Sequence, residues 1–101
     1  MKILLICGAG ASTSLVMKKM NDFILTTNEQ HQIEAVGIHQ LDEKIHVYDV
    51  FLIGPQIKFA LKEIQNKCMP KPVAAIPARL YATADGAGVL KLAKELYNRR
   101  G

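Results

Sequence analysis

Short apolar runs alternate with amphipathic segments along this 101-residue chain, and the alternation predicts an α/β protein. The runs at 3–6 and 50–53 are continuously apolar, as central strands of a parallel sheet covered on both faces should be. Because helical patterns separate the strands, right-handed crossovers and helices on both faces of the sheet are expected. We predict four parallel strands in the order 2-1-3-4, the first of them over 2–6.

Local patterns predict the elements between and after these two runs. An apolar stripe at helical spacing predicts a helix over 13–27, and partial alternation at 32–36 predicts an edge strand. A short helical turn is expected near 41–45. After the second central strand, another helical stripe, at Ile57, Ala60, Leu61 and Ile64, predicts the next helix.

Prolines divide the last third of the chain. Pro70 and Pro72 end the preceding helix, and the strand predicted over 73–76 stops at Pro77. Asp85 then has the position of a helix N-cap. The apolar stripe of that last helix comprises Val89, Leu92, Ala93 and Leu96.

The composition limits the classes of function. Half of the residues are hydrophobic and the net charge is +4, which together indicate one globular domain over residues 1–101. No basic run is interleaved with aromatic residues, so nucleic-acid binding is not expected. No apolar stretch approaches the roughly 18–20 residues that cross a bilayer, and no signal-peptide pattern opens the chain. We expect a cytoplasmic monomer, because the two cysteines fit a reducing compartment and no apolar stripe is left over.

The most informative residue is Cys7, which ends the first apolar run and directly precedes a loop of small and hydroxylated residues. In such sheets the ligand site lies beyond the carboxyl ends of the strands, at the switch point beside the first strand. Backbone N–H groups at a helix start favour a bound phosphate, and the same field favours a nucleophilic thiolate. The loop is neither a Walker loop nor a dinucleotide fingerprint. The predicted phosphate-binding residues are Gly8, Ala9, Gly10, Ala11, Ser12, Thr13 and Ser14.

Two further loops should converge on the same thiol. One follows the third strand and the other follows the fourth, and the carboxyl ends of parallel strands meet at one edge of the sheet. These loops supply candidate rim residues rather than candidate catalytic ones. The predicted rim comprises Gly54, Pro55, Gln56, Tyr81 and Asp85.

The other reactive side chains have structural explanations. His31, His39 and His46 lie in polar stretches without metal-ligand spacing, so we predict surface histidines and no metal site. Cys68 follows a polar helical turn, and we interpret it as a packing residue rather than a redox partner of Cys7.

Residues 7–15, Cys-Gly-Ala-Gly-Ala-Ser-Thr-Ser-Leu, resemble the phosphorylation loop of the IIB component (EIIB) of sugar phosphotransferase systems, lactose/cellobiose (diacetylchitobiose) type. Segments 52–57, 66–72 and 80–91 also resemble that family, so the similarity covers nearly the whole chain. The resemblance implies a fold similar to the low-molecular-weight tyrosine phosphatases, with flavodoxin-like topology.

The resemblance also implies a mechanism. The Cys7 thiolate would attack the phosphoryl group held on a histidine of the EIIA protein. Phosphocysteine would then donate the group to a sugar bound in the membrane protein EIIC. No metal and no organic cofactor is implied. Because the chain begins and ends as a free domain, we expect a cellobiose-like, chitobiose-like or other β-linked sugar.

Other functions stay open at this point. The similar phosphatases carry an arginine six positions after the cysteine, where this chain has Thr13. Without that bidentate guanidinium, and with no clear acid nearby, hydrolysis is disfavoured. The alternatives are a stand-alone cysteine-dependent phosphatase, a thiol reductase and an oxyanion-binding regulatory module.

Overall fold

The structure, a computed structural model, describes residues 1–8 and 13–99. Within these residues, four parallel strands form one sheet in the order β2-β1-β3-β4, which confirms the predicted order. The long β2 lies at one edge, as its partial alternation predicted. The strands are β1 (Lys2–Cys7), β2 (Gln32–Gly37), β3 (Val50–Ile53) and β4 (Val73–Ala75).

Helices connect and cover the strands. Their bounds are α1 (Ser14–Thr27), α2 (Leu41–Lys44), α3 (Leu61–Cys68), α4 (Ala78–Ala82) and α5 (Gly86–Arg99), and 3₁₀ helices cover Ile38–Gln40 and Pro55–Ala60. The short α4 was not predicted, since five residues are too few to show a helical period. The helix predicted from the stripe at 57–64, in the segment that Pro70 ends, is present. It begins as a 3₁₀ helix after Gly54, is kinked at Ile57, and continues as α3 to Cys68.

The strand register brings the carboxyl ends of all four strands to one side of the sheet, here called the carboxyl edge. Cys7 pairs with Gly37, and Ile6 pairs with Ile53. Ile53 pairs in turn with Ala75. The loops after the four strands therefore leave the sheet side by side.

Alternate residues of the central strands pack into two separate cores. Leu4 and Ile6 face the core beneath α2 and α3, whereas Ile3 and Leu5 face the core beneath α1 and α5. All four side chains are fully buried, and each such side chain contributes about 1.5–3 kcal/mol to the stability. This arrangement confirms helices on both faces of the sheet.

Two helices on one face cross with their backbones in close approach. A Cβ added at Gly86 of α5 would lie 2.4 Å from the carbonyl carbon of Lys19 in α1. Glycine is therefore required at this crossing, which fixes α5 against the middle of α1. None of the helices in the described ranges is long and apolar enough to cross a membrane.

Candidate functional site

Cys7 is the last residue of β1, a central strand, and lies at the carboxyl edge between β2 and β3. Cys7 is fully buried. The chain turns from this strand towards α1, which begins at Ser14. The thiol thus stands at the switch point of the sheet, the position where open α/β sheets bind their ligands.

The loop after β3 contacts Cys7 directly. The Gly54 N–H donates a hydrogen bond to the carbonyl oxygen of Ile6, 2.8 Å away. A Cβ added at Gly54 would lie 3.8 Å from the Cys7 Cβ and 2.9 Å from the Gln56 Oε1. Gly54 therefore lies beside the cysteine, and the Gln56 side chain lies next to Gly54.

The residue after Cys7 meets the same loop. A Cβ added at Gly8 would lie 3.7 Å from the Ile57 Cγ2, an ordinary packing distance. Gly8 and the 3₁₀ helix Pro55–Ala60 are therefore neighbours at the carboxyl edge. Of the predicted phosphate-binding residues, Ala9, Gly10, Ala11 and Ser12 lie outside the described residues.

Thr13 immediately precedes α1 and is fully buried. Its Oγ1 has no hydrogen-bond partner within the described part of the chain, and it does not cap α1. A buried hydroxyl without a partner costs about 1–3 kcal/mol. Such a hydroxyl at the entrance to a helix is suited to donate to an oxyanion there. Ser14, the first residue of α1, is exposed.

Tyr81 and Asp85 lie after β4, on the face covered by α1 and α5. Tyr81 packs against that core, and its N–H donates to the carbonyl oxygen of Pro77 at 3.1 Å. The Oδ1 of Asp85 accepts a hydrogen bond of 2.9 Å from the Gly88 N–H. Asp85 therefore caps α5, as predicted from sequence. Its neighbour Gly86 contacts the middle of α1.

The prediction of a surface histidine was wrong for His31. Its side chain is only 13% exposed and pairs with Glu29 through Nε2 at 3.0 Å. The Met1 nitrogen lies 3.1 Å from the other ring nitrogen, Nδ1. The parallel pairing of Lys2 with Gln32 brings these two chain segments together at the amino edge, opposite the Cys7 edge. His39 and His46 are exposed, as predicted.

The Glu29 carboxylate anchors this cluster at the amino edge. Its Oε1 lies 2.5 Å from the Lys94 Nζ. The hydrogen bond with Lys94, and next that with His31, lowers the pKa of Glu29 from 4.5 to about 2. Among the residues described, there is no cluster of three or more histidine, cysteine or acidic side chains that could bind a metal ion.

Cys68 lies at the end of α3, just before the chain enters β4, and therefore far from the carboxyl edge. It is buried in the core beneath α2 and α3, which confirms a packing role. Burial raises the pKa of its thiol from 9.0 to about 11. Neither Cys68 nor Cys7 forms a disulfide.

Two exposed apolar side chains near the carboxyl edge were missed from sequence. Phe59, in the 3₁₀ helix Pro55–Ala60, is 87% exposed, and Leu15, in the first turn of α1, is 57% exposed. The available signal was their position off the apolar stripe of each helix. His39 also lies near this edge, two residues after β2 ends.

Comparisons with known proteins extend this description. The family model "PTS system, Lactose/Cellobiose specific IIB subunit" matches residues 2–92. The chain is 38% identical over 87 residues to the PTS system oligo-beta-mannoside-specific EIIB component of Bacillus subtilis (strain 168), covering 84% of each. It is 31% identical over 103 residues to the PTS system cellobiose-specific EIIB component of Lactococcus lactis subsp. lactis (strain IL1403), covering 95% of each.

Solved structures show the same architecture. The solution structure of the cellobiose-specific phosphotransferase IIB component protein from Borrelia burgdorferi matches with a TM-score of 0.85 at 34% identity, over 100% of this chain and 94% of that one. The lactose-specific IIB component domain from Streptococcus pneumoniae matches with a TM-score of 0.86 at 16% identity, over 96% and 97% of the chains, and shows the fold alone. This fold is similar to that of low-molecular-weight tyrosine phosphatases. The chain therefore belongs to the lactose/cellobiose-specific IIB family of the sugar phosphotransferase system (PTS).

Proposed function

We propose that this protein is a cytoplasmic phosphocarrier, active as a monomer of one domain over residues 1–101. Cys7 accepts a phosphoryl group from a phosphohistidine of EIIA and passes it to a sugar bound in the membrane protein EIIC. The observation that carries the proposal is the place of Cys7. It ends a central strand at the switch point, beside Gly54 and ahead of α1.

Two displacements at phosphorus make up the proposed reaction. In the first, the Cys7 Sγ thiolate attacks phosphorus, an S–P bond forms, and the P–N bond to the donor imidazole breaks with its electron pair returning to nitrogen. In the second, a sugar hydroxyl oxygen attacks the phosphocysteine, the S–P bond breaks, and the thiolate is restored. The hydroxyl proton leaves to a base on the acceptor side. The chain supplies positioning and charge stabilisation, which phosphoryl transfer chiefly requires.

The segment around Cys7 supports an anion of this kind. The first N–H groups of α1 have no partner within the helix, and the helix dipole places partial positive charge there. The buried Oγ1 of Thr13 adds a donor whose bonding capacity is unused within the described residues. We propose that these groups hold the phosphoryl oxygens together with residues 8–14.

Slow hydrolysis is part of the proposal, because a carrier must keep its phosphoryl group until the acceptor arrives. Thr13 stands where the similar phosphatases have arginine, so the phosphate lacks bidentate activation. We expect phosphocysteine in the isolated protein to outlast the time of transfer.

We further propose that the sugar is a β-linked oligosaccharide. Relatives carry the names oligo-beta-mannoside-specific and cellobiose-specific, although another is named galactose-specific. The choice of sugar belongs mainly to EIIC, which binds it. A panel of cellobiose, β-mannobiose, chitobiose and galactose, tested for phosphorylation with the matching EIIC, separates these substrates.

Intact-protein mass spectrometry tests the phosphocarrier function. Wild type, Cys7→Ala and Cys68→Ala are each incubated with phosphoenolpyruvate, the general phosphotransferase proteins and a matching EIIA. We expect a gain of one phosphoryl mass in wild type and Cys68→Ala, and none in Cys7→Ala. No gain in wild type, with EIIA shown to be phosphorylated, would contradict the proposal. Aryl-phosphate hydrolysis would then test for a phosphatase, and phosphate titration for a regulatory module.

A further inference from the structure

Phe59 exposes an aromatic side chain close to the proposed phosphorylation site. The side chain is 87% exposed, although phenylalanine is among the residues most often found inside proteins. Its 3₁₀ helix, Pro55–Ala60, starts at the carboxyl end of β3, and Ile57 of that helix lies against Gly8. Phe59 therefore stands on the segment that adjoins Gly8, the residue next to Cys7.

The fold does not need this aromatic ring. In the same 3₁₀ helix Ile57 and Ala60 are buried in the core beneath α2 and α3, whereas Phe59 points outward. An exposed aromatic residue with no role in packing is typical of a contact made with another protein, where aromatic residues dominate the binding energy.

Positive charge flanks the aromatic ring. Lys58 precedes Phe59, Lys62 follows one turn later, and both are exposed. Neither lysine forms an ion pair with any residue in the described ranges. Glu63 is the acidic residue of this turn, so positive charge is in excess around Phe59.

We infer that Phe59, Lys58 and Lys62 form the docking surface for the phosphoryl donor, and this inference rests on the proposed function. The partner surface that fits is an apolar socket rimmed by carboxylates, beside the phosphohistidine. Phe59 would fill the socket and the two lysines would pair with the rim.

The positive charge of this docking surface favours binding of the phosphoryl donor, EIIA, over binding of the acceptor, EIIC. A phosphorylated donor brings a dianionic phosphoryl group and approaches a chain of net charge +4, so the lysines speed the encounter. The acceptor offers a neutral sugar, and by then the phosphate sits on Cys7 itself. The lysines therefore favour the first encounter more than the second.

Steady-state phosphorylation of Phe59→Ala by phosphorylated EIIA tests the inference. We expect KM for the carrier to rise about tenfold or more with an unchanged maximal rate, as for loss of a central aromatic contact. Leu25→Ala is the matched control, because Leu25 is 81% exposed at the opposite end of α1. The control should behave as wild type.

A second pair of variants tests the charge. Lys58→Gln and Lys62→Gln should each raise KM at low ionic strength, and the difference from wild type should shrink as salt screens the charges. Unchanged melting temperature and unchanged alkylation of Cys7 would show that each variant is folded with a normal site.

The outcomes separate the docking inference from the proposed function. If wild type is phosphorylated and Phe59→Ala has the same KM, the docking surface is overturned. The proposed phosphocarrier function then still stands. Wild type that is never phosphorylated by a competent EIIA would overturn both. Transfer from phosphorylated Phe59→Ala to sugar through EIIC should keep its wild-type rate. An equal loss in that second step would overturn the assignment to the donor.

Discussion

Replacing Thr13 with valine should stabilise the protein and slow phosphoryl transfer at the same time. Valine matches the shape of threonine but lacks the hydroxyl, which is fully buried and has no partner within the described residues. Removing an unsatisfied buried hydroxyl recovers part of its desolvation cost, so the free energy of unfolding should rise by about 1–2 kcal/mol. A hydrogen bond to a charged group is worth about 1.5–3 kcal/mol, so phosphorylation should slow by about 10-fold to 150-fold.

Urea unfolding and single-turnover phosphorylation by EIIA measure the two effects. Thr26→Val is the matched control on the same helix, since the exposed Thr26 Oγ1 already donates to the carbonyl oxygen of Phe23 at 2.7 Å. This control should leave transfer unchanged. A Thr13→Val protein that is less stable than wild type by about 1 kcal/mol or more would refute the reasoning, because the hydroxyl would then have a partner. Unchanged transfer would refute its role at the phosphate.

Three other substitutions test the account away from the phosphate. In Cys7→Ala, an alkylating reagent at pH 8 should label Cys68 at least about 100-fold more slowly than an exposed thiol of pKa 9.0, because burial raises its pKa to about 11 and also shields it from the reagent. Rapid labelling of the folded protein would contradict this. Glu29→Gln should lower the melting temperature at pH 7. The carboxylate of Glu29 stabilises the fold above pH 4.5, and this stabilisation fades as the pH falls towards its folded pKa of about 2. The melting temperatures of wild type and Glu29→Gln should therefore converge as the pH is lowered. A difference in melting temperature that stays constant with pH would be inconsistent with the lowered pKa. Gly86→Ala should destabilise by about 1–3 kcal/mol in urea, because its Cβ would lie 2.4 Å from α1 backbone. Gly88→Ala should cost less, since its contacts are movable side chains, and equal losses would argue against the close crossing.

The sheet was predictable because its central strands are buried on both faces. The runs at 3–6 and 50–53 show this burial as unbroken apolar sequence, and every side chain in them is fully buried. Right-handed crossovers that put helices on both faces of the sheet are compatible with the order 2-1-3-4, which the structure confirms. The short α4 and the 3₁₀ helix Ile38–Gln40 were not predictable in the same way, because so few residues show no periodicity.

Part of the candidate site followed from topology alone. The rule that ligands bind beyond the carboxyl ends of strands placed Cys7 and the segment 54–56 together, and the structure brings Gly54 next to Cys7. The environment of His31 was not predictable, since it depends on pairing between distant segments. The exposure of Phe59, by contrast, could have been predicted from its position off the apolar stripe that contains Ile57 and Ala60.

Transfer from isolated phosphocysteine to sugar tests the central claim most directly. The protein is phosphorylated with isotopically labelled phosphoenolpyruvate, separated from EIIA, and mixed with EIIC membranes and a β-linked disaccharide. The account predicts that label leaves the Cys7 peptide and appears on the sugar in equal amount, and that Cys7→Ala supports no transfer. Sugar phosphorylation that proceeds with Cys7→Ala, or label that passes from Cys7 only to water, would contradict it.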